Sequence, residues 1–135
     1  MKEVGSKKPK LSSVYELLNK AHEAGNFRAS YAIATWYLFG KYVKKDYKKA
    51  VGLLNIAKEG DLSEAFFDLA VCYEIGKGVK KNKYQAYLNY LSAAIRGDKQ
   101  AIFEVGRCYY YGIGVKKDIE LAETWLNAAK HFGIQ

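Results

Sequence analysis

Side chains able to do acid–base, nucleophilic or metal chemistry are few in this chain, and their spacing does not bring them together. Its two histidines, His22 and His131, fall near opposite ends of the sequence. Neither has the spaced nucleophile and carboxylate that general-base catalysis needs. The two cysteines, Cys72 and Cys108, make no zinc-ligand spacing with those histidines. Gly76-Lys77-Gly78-Val79 and Gly112-Ile113-Gly114-Val115 offer backbone N–H groups to a phosphate, but they lack G-x-x-x-x-G-K-[ST] and follow a helical pattern, not a strand. Asp46 and Asp118 suit helix caps, and Glu120 and Glu123 suit a solvated helix face. The expectation is a protein with no catalytic residues, no metal and no cofactor.

Two residue types remain that could recognise a partner. The chain carries a formal net charge of +8 and 22 basic residues. Eleven of them are Lys41, Lys44, Lys45, Lys48, Lys49, Lys77, Lys80, Lys81, Lys83, Lys116 and Lys117. Such lysines serve either as a solubilising surface or as an attractor for an acidic protein, a membrane surface or nucleic acid. Lysine without arginine disfavours base reading, which relies on guanidinium forks. The other signal is aromatic: 12 tyrosines in 135 residues.

What positions these residues is a repeat of 36. Ala29, Ala65 and Ala101 keep that step, as do Tyr37, Tyr73 and Tyr109, Gly40, Gly76 and Gly112, Val43, Val79 and Val115, and Ala50, Ala86 and Ala122. A fixed period of this length means stacked supersecondary units. In the third copy, small or apolar residues at 101, 102, 105, 106, 109 and 110 give helical spacing. Gly112 ends that helix in the left-handed conformation, and a glycine–valine turn leads to Asp118 as the next N-cap. Asp46 and Asn82 cap the other copies, and Asn82 with Gln85 fits a capping box. Ala34, Ala70 and Gly106 are small where two helices must approach closely. Upstream, Val14, Leu17, Leu18, Ala21 and Gly25 match a second helix alone, which suits a cap for the array. The two cysteines fall at equivalent positions, roughly 9–12 Å apart in stacked hairpins, beyond the ~7 Å Cα limit for a disulfide. They are expected to be free thiols, buried or half-buried.

Ala65 through Ala93, read as A-x-x-x-[IL]-A-x-x-Y-x-x-G-x-G-V-x-x-[DN]-x-x-x-A-x-x-x-x-x-x-A, resembles the Sel-one-like repeat (SLR) family, a relative of the tetratricopeptide repeat with a longer loop inside the hairpin. The likeness covers roughly residues 14–134. Tyr42 stands where the later copies have Gly78 and Gly114, and the first copy reaches Gly60 one residue early before recovering its register by Ala65. Both departures touch loop shape, not the fold. The resemblance implies an all-α, right-handed α-solenoid of three helix–turn–helix repeats, 29–64, 65–100 and 101–135, behind a cap helix at 13–25. A basic arm, 1–12, precedes this 13–135 repeat domain. It also implies adaptors and scaffolds of protein complexes, among them signalling, secretion and bacterial immunity proteins.

By analogy with tetratricopeptide solenoids, the first helix of each hairpin lines a concave groove. The groove positions that suit protein binding are then Tyr31, Leu38 and Phe39, Phe67, Glu74 and Ile75, and Phe103, Arg107, Tyr110 and Tyr111. Phe67 and Phe103 also suit core positions between hairpins. Stacking places Lys44, Lys45, Lys80, Lys81, Lys116 and Lys117 along one basic edge. The expected partner is another protein with an acidic surface, such as a toxin or a complex subunit, held against the aromatic groove. The alternative is an RNA- or phosphate-binding module using the lysine edge, although nucleic acid is disfavoured. No apolar run approaches the ~18–20 residues that span a bilayer, and the N-terminus lacks an apolar signal core, so a cytoplasmic protein is expected.

Overall fold

The computed structural model describes residues 11–134. Among these it has no strand, and its helices run α1 (Leu11–Glu23), α2 (Phe27–Phe39), α3 (Tyr47–Ala57), α4 (Ser63–Ile75), α5 (Lys83–Ile95), α6 (Lys99–Tyr111) and α7 (Ile119–His131). A 3-10 turn, Lys58–Gly60, follows α3. α2 packs on α3, α4 on α5 and α6 on α7 as hairpins, and α3–α4 and α5–α6 contacts join them. This is an α-solenoid. α1 covers the first hairpin by packing on α2. It begins two residues before the expected cap helix, taking residues 11 and 12 from the expected basic arm. Residues 1–10 of that arm lie outside the described residues.

Each hairpin turn is built the same way. Gly40, Gly76 and Gly112 take left-handed backbone with φ of 64°, 78° and 72°, closing the first helix. The N-cap side chains of Asp46, Asn82 and Asp118 each accept the N–H three residues on, at 3.0 Å. Their own N–H groups donate back to the carbonyls of Tyr37, Tyr73 and Tyr109 at 2.9–3.0 Å. That bond corrects the capping-box expectation: the Asn82 N–H is already satisfied by Tyr73, so Gln85 contributes only its backbone.

Tyr42 holds the left-handed conformation of Gly78 and Gly114, φ 70° against 75° and 74°, with its ring edge-on to Trp36 at 4.7 Å. The turn therefore keeps its shape without glycine. Nor is the register lost at Gly60. Asp61, at φ 58°, fills the left-handed place of Gly25, Gly97 and Gly133, while Gly60 is glycine because a Cβ there would strike Phe27.

The core is a column of small residues flanked by larger ones. Ala34, Ala50, Ala57, Ala65, Ala70, Ala86, Ala93, Ala101, Ala122 and Ala129 have no exposed surface. Large side chains then lock neighbouring hairpins, Leu54 and Leu69 in the first interface and Tyr90 and Val105 in the second. At Gly106 an added Cβ would lie 2.8 Å from the Leu126 side chain, so α6 and α7 approach through a missing methyl.

Candidate functional site

Three apolar side chains stand open at one repeat position. Phe39, Ile75 and Tyr111 are the last residues of α2, α4 and α6, and they are 70%, 51% and 68% exposed. Tyr110 is also exposed and meets Tyr111 edge-on at 4.9 Å. With Phe103, Arg107 and Leu126 these tyrosines line a pocket of about 270 Å³ beside α7.

The remaining groove positions are more enclosed. Tyr31 is half-buried and donates to Asp68 at 2.8 Å. Phe67 is half-buried, edge-on to Tyr90 at 5.5 Å, and packs on the second core cluster. Phe103 is half-buried. Leu38 requires a correction: it is 9% exposed and belongs to the first core cluster. Its place one residue before Phe39 turns it about 100° around the helix, onto the next hairpin.

Glu74 and Arg107 are bound to one another across the α4–α6 gap. Arg107 donates two bonds to Glu74, at 2.8 and 3.0 Å, and a third to Glu104 at 2.7 Å. Tyr90 adds its hydroxyl to Glu74 at 2.8 Å. The Arg107 bond is the main reason the Glu74 carboxyl sits below its ordinary pKa, with burial opposing it. Arg28 pairs with Glu64 at 2.7 Å and Arg96 with Asp61 at 3.1 Å. All three arginines of the chain are thus committed to carboxylates, and none offers a free fork to a base edge.

Lys44, Lys45, Lys80, Lys81, Lys116 and Lys117 are all exposed, in the turns beside the Phe39–Ile75–Tyr111 row. Lys45 and Lys77 also lie over the Tyr47 ring, 5.6 and 5.0 Å from its centre.

Many of the tyrosines are structural, a point the repeat pattern alone missed. Tyr87 and Tyr109 share a hydroxyl contact of 2.8 Å, and Tyr15 and Tyr37 one of 3.3 Å. These pairs sit two repeats apart in register; the intervening copy has Val51 opposite Tyr73. The signal was present in the numbering of Tyr15 and Tyr87, which differ by two periods.

Among the described residues no group of three or more His, Cys, Asp or Glu side chains is placed to hold a metal ion. His22 meets the Ser30 hydroxyl at 2.7 Å. Cys72 and Cys108 are free and buried. Burial pushes their thiols up to about 11 and about 12, so both remain protonated and poorly nucleophilic at neutral pH. No described helix is long and apolar enough to cross a membrane.

Comparison with solved structures agrees with this geometry. The fold superimposes on a protective antigen of uropathogenic Escherichia coli strains displaying an SLR fold, with a TM-score of 0.89 and 30% identity over 92% of this chain. The chain spans only 27% of that protein's length. A Sel1 repeat protein from Oxalobacter formigenes matches at a TM-score of 0.78 and 32% identity, covering 87% of this chain and 89% of its own. Cysteine rich protein B of Helicobacter pylori matches at 0.68 and 25% identity, covering 90% and 92%. Among curated proteins none matches in sequence. The model of the Sel1 repeat matches residues 28–62, 63–98 and 99–130, and with three copies over most of its length the chain belongs to the Sel1 repeat family.

Proposed function

We propose that this chain is a non-enzymatic adaptor or immunity-type protein that holds one protein partner against its first-helix face. Sel1 repeats are generally protein-interaction modules, and the finer assignment rests on one observation. Phe39, Ile75 and Tyr111 repeat an exposed apolar side chain at the same place in three hairpins, beside exposed lysines. Apolar and aromatic anchors of this kind dominate interface energetics, whereas peripheral charges steer the encounter. An acidic surface on the partner, such as that of a toxin or a complex subunit, complements the +8 chain. The two unpaired, unreactive thiols suit a reducing compartment such as the cytoplasm.

With a copurifying partner in hand, Tyr111→Ala should weaken binding by about 2 kcal/mol or more. A Lys80/Lys81 charge reversal should mainly slow association, an effect that fades with salt. Loss of binding in the lysine variant at high salt, with Tyr111→Ala unchanged, would overturn the proposal. The lysine edge would then be the working surface. RNA binding predicts a different result: a steep loss of affinity with salt for the parent protein itself.

A further inference from the structure

Both gaps between hairpins are crossed by an ion pair, the exposed Arg28–Glu64 in the first and the more enclosed Glu74–Arg107 in the second, but at the places equivalent to Glu74 and Arg107 the first gap is apolar. In the second gap, Glu74, Tyr90, Arg107 and Glu104 form the bonded network described above. One period earlier the same places hold Leu38, Leu54, Val71 and Asp68. The guanidinium and one carboxylate have been replaced by shorter apolar groups, and a slot of about 160 Å³ opens there. Its wall includes Leu38, Val71 and Cys72, and Phe39 stands at its lip, highly exposed.

The polar groups around the slot are few and distinct. Asp68 is half-buried and accepts one bond, from Tyr31. Its other lone pairs are available to a donor. Lys45 and Lys77 are exposed and line the slot where it meets the turns, both also over Tyr47. The volume is that of a single aliphatic side chain, not of a drug-sized ligand. Apolar wall, lone acceptor and flanking ammonium groups describe a complementary segment. It carries one aliphatic side chain, a backbone N–H beside it and carboxylates on either side.

Resting on the first-helix binding reading above, we infer that the slot between the first two hairpins receives an aliphatic side chain from an acidic partner segment. Asp68 accepts a backbone N–H of that segment, and Lys45 and Lys77 pair with its carboxylates. The occupant is acidic because the slot is flanked by two lysines in a chain of net charge +8. An arginine-bearing occupant would meet those lysines with like charge.

The probe is a fluorescein-labelled pentapeptide with leucine between two pairs of glutamates, titrated against the full chain. Controls replace its leucine with alanine or its glutamates with glutamines. Saturable binding is expected below about 1 mM, with NMR shifts concentrated at the Leu38 and Val71 methyls. The double variant Leu38→Glu/Val71→Arg copies the second gap's pair into the first and fills the slot. It should bind the peptide at least about tenfold more weakly. A Lys45→Glu/Lys77→Glu variant, altered only at exposed sites, should lose binding at low salt and serves if the filled variant does not fold.

Absence of saturable binding, an unchanged affinity in the lysine variant or in a folded filled variant, or shifts confined to the Lys116–Lys117 turn would overturn the inference. The wider reading is tested separately with the protein partner. If a folded filled variant keeps its affinity for that partner while Ile75→Ala and Tyr111→Ala lose theirs, the slot falls and the first-helix face stands. If all three keep their affinity, both fall.

Discussion

At the residue scale, what each side chain does is set by what its repeat-mates could not do. Asp68 and Glu104 occupy one register, and each carboxyl finds a different partner: Tyr31 in one gap, Arg107 in the other. The Tyr31 hydroxyl is present where it is needed, and its counterpart Phe67 lacks one where Arg107 already serves. Glu74 yields a pH prediction. Its folded pKa is lowered, chiefly by Arg107, so the ionised form favours folding. That contribution is fully present above the ordinary value of 4.5 and is lost as pH falls through the lowered folded value. Chemical denaturation across pH should therefore show Glu74→Gln less stable than the parent at neutrality, with the gap closing in acid. A gap that stays constant with pH would show that the carboxylate's charge contributes nothing. Glycine gives the second residue-scale test. Gly114 and Gly133 both have positive φ, but a Cβ on Gly114 would collide with the Lys83 carbonyl, whereas Gly133 has open space. Gly133→Ala should cost about 1 kcal/mol from backbone conformation alone. Gly114→Ala should cost about 1–3 kcal/mol more because backbone must move. Equal costs in urea melts would mean the turn does not press on the preceding hairpin.

At the scale of helices and turns, the sequence was most legible where one local rule acts alone. Gly40, Gly76 and Gly112 end helices, and Asp46, Asn82 and Asp118 begin them, because the caps depend on backbone geometry within a few residues. Legibility failed where a group's partner comes from another helix. Gln85 looked like the reciprocal half of a capping box, but the Tyr73 carbonyl, nine residues before Asn82, takes the N–H first. Leu38 looked like an open groove residue, yet it packs in the first core cluster and keeps only an edge on the slot beside Phe39. Phe39, Ile75 and Tyr111 were visible as apolar residues, but their common exposure at the ends of α2, α4 and α6 is not described by a helical periodicity. Asp61 was hidden for a similar reason, since a non-glycine residue with positive φ is rare. The close approach of α6 and α7 was legible as Gly106, and it can be tested. Gly106→Leu should overpack against Leu126 and cost on the order of 1–3 kcal/mol. Gly106→Ala should cost less than the leucine variant because it adds one carbon instead of four, although that carbon meets Leu126 Cδ2 and Cγ at 2.8 Å and its backbone N at 3.2 Å. Parent-like melting of the leucine variant would refute the contact.

At the scale of the whole molecule, a solenoid has no single core, and stability is carried by neighbours. α1 packs chiefly on α2 and α7 on α6, whereas α4 and α5 pack on each other and on α3 and α6 respectively. The two core clusters meet in the middle hairpin: Leu69 and Cys72 of α4 belong to one, and Ala70 with Ala86 and Tyr90 of α5 to the other. In such arrays local opening reflects the number of interfaces a unit must break. The ends break one and the middle hairpin breaks two. Native-state hydrogen exchange should therefore give the slowest amides in α4 and α5 and the fastest helical amides in α1, with α7 between them. α7 keeps a complete hairpin with α6, whereas among the described helices α1 packs chiefly on α2. The charged second gap adds a finer expectation. Arg107→Met removes the ties between α4 and α6 without opening a large cavity, so exchange should accelerate in α6 and α7 while α1 to α3 keep their parent rates. Uniform acceleration across all helices would mean the chain opens as one unit, and the nearest-neighbour account of this protein would have to be abandoned.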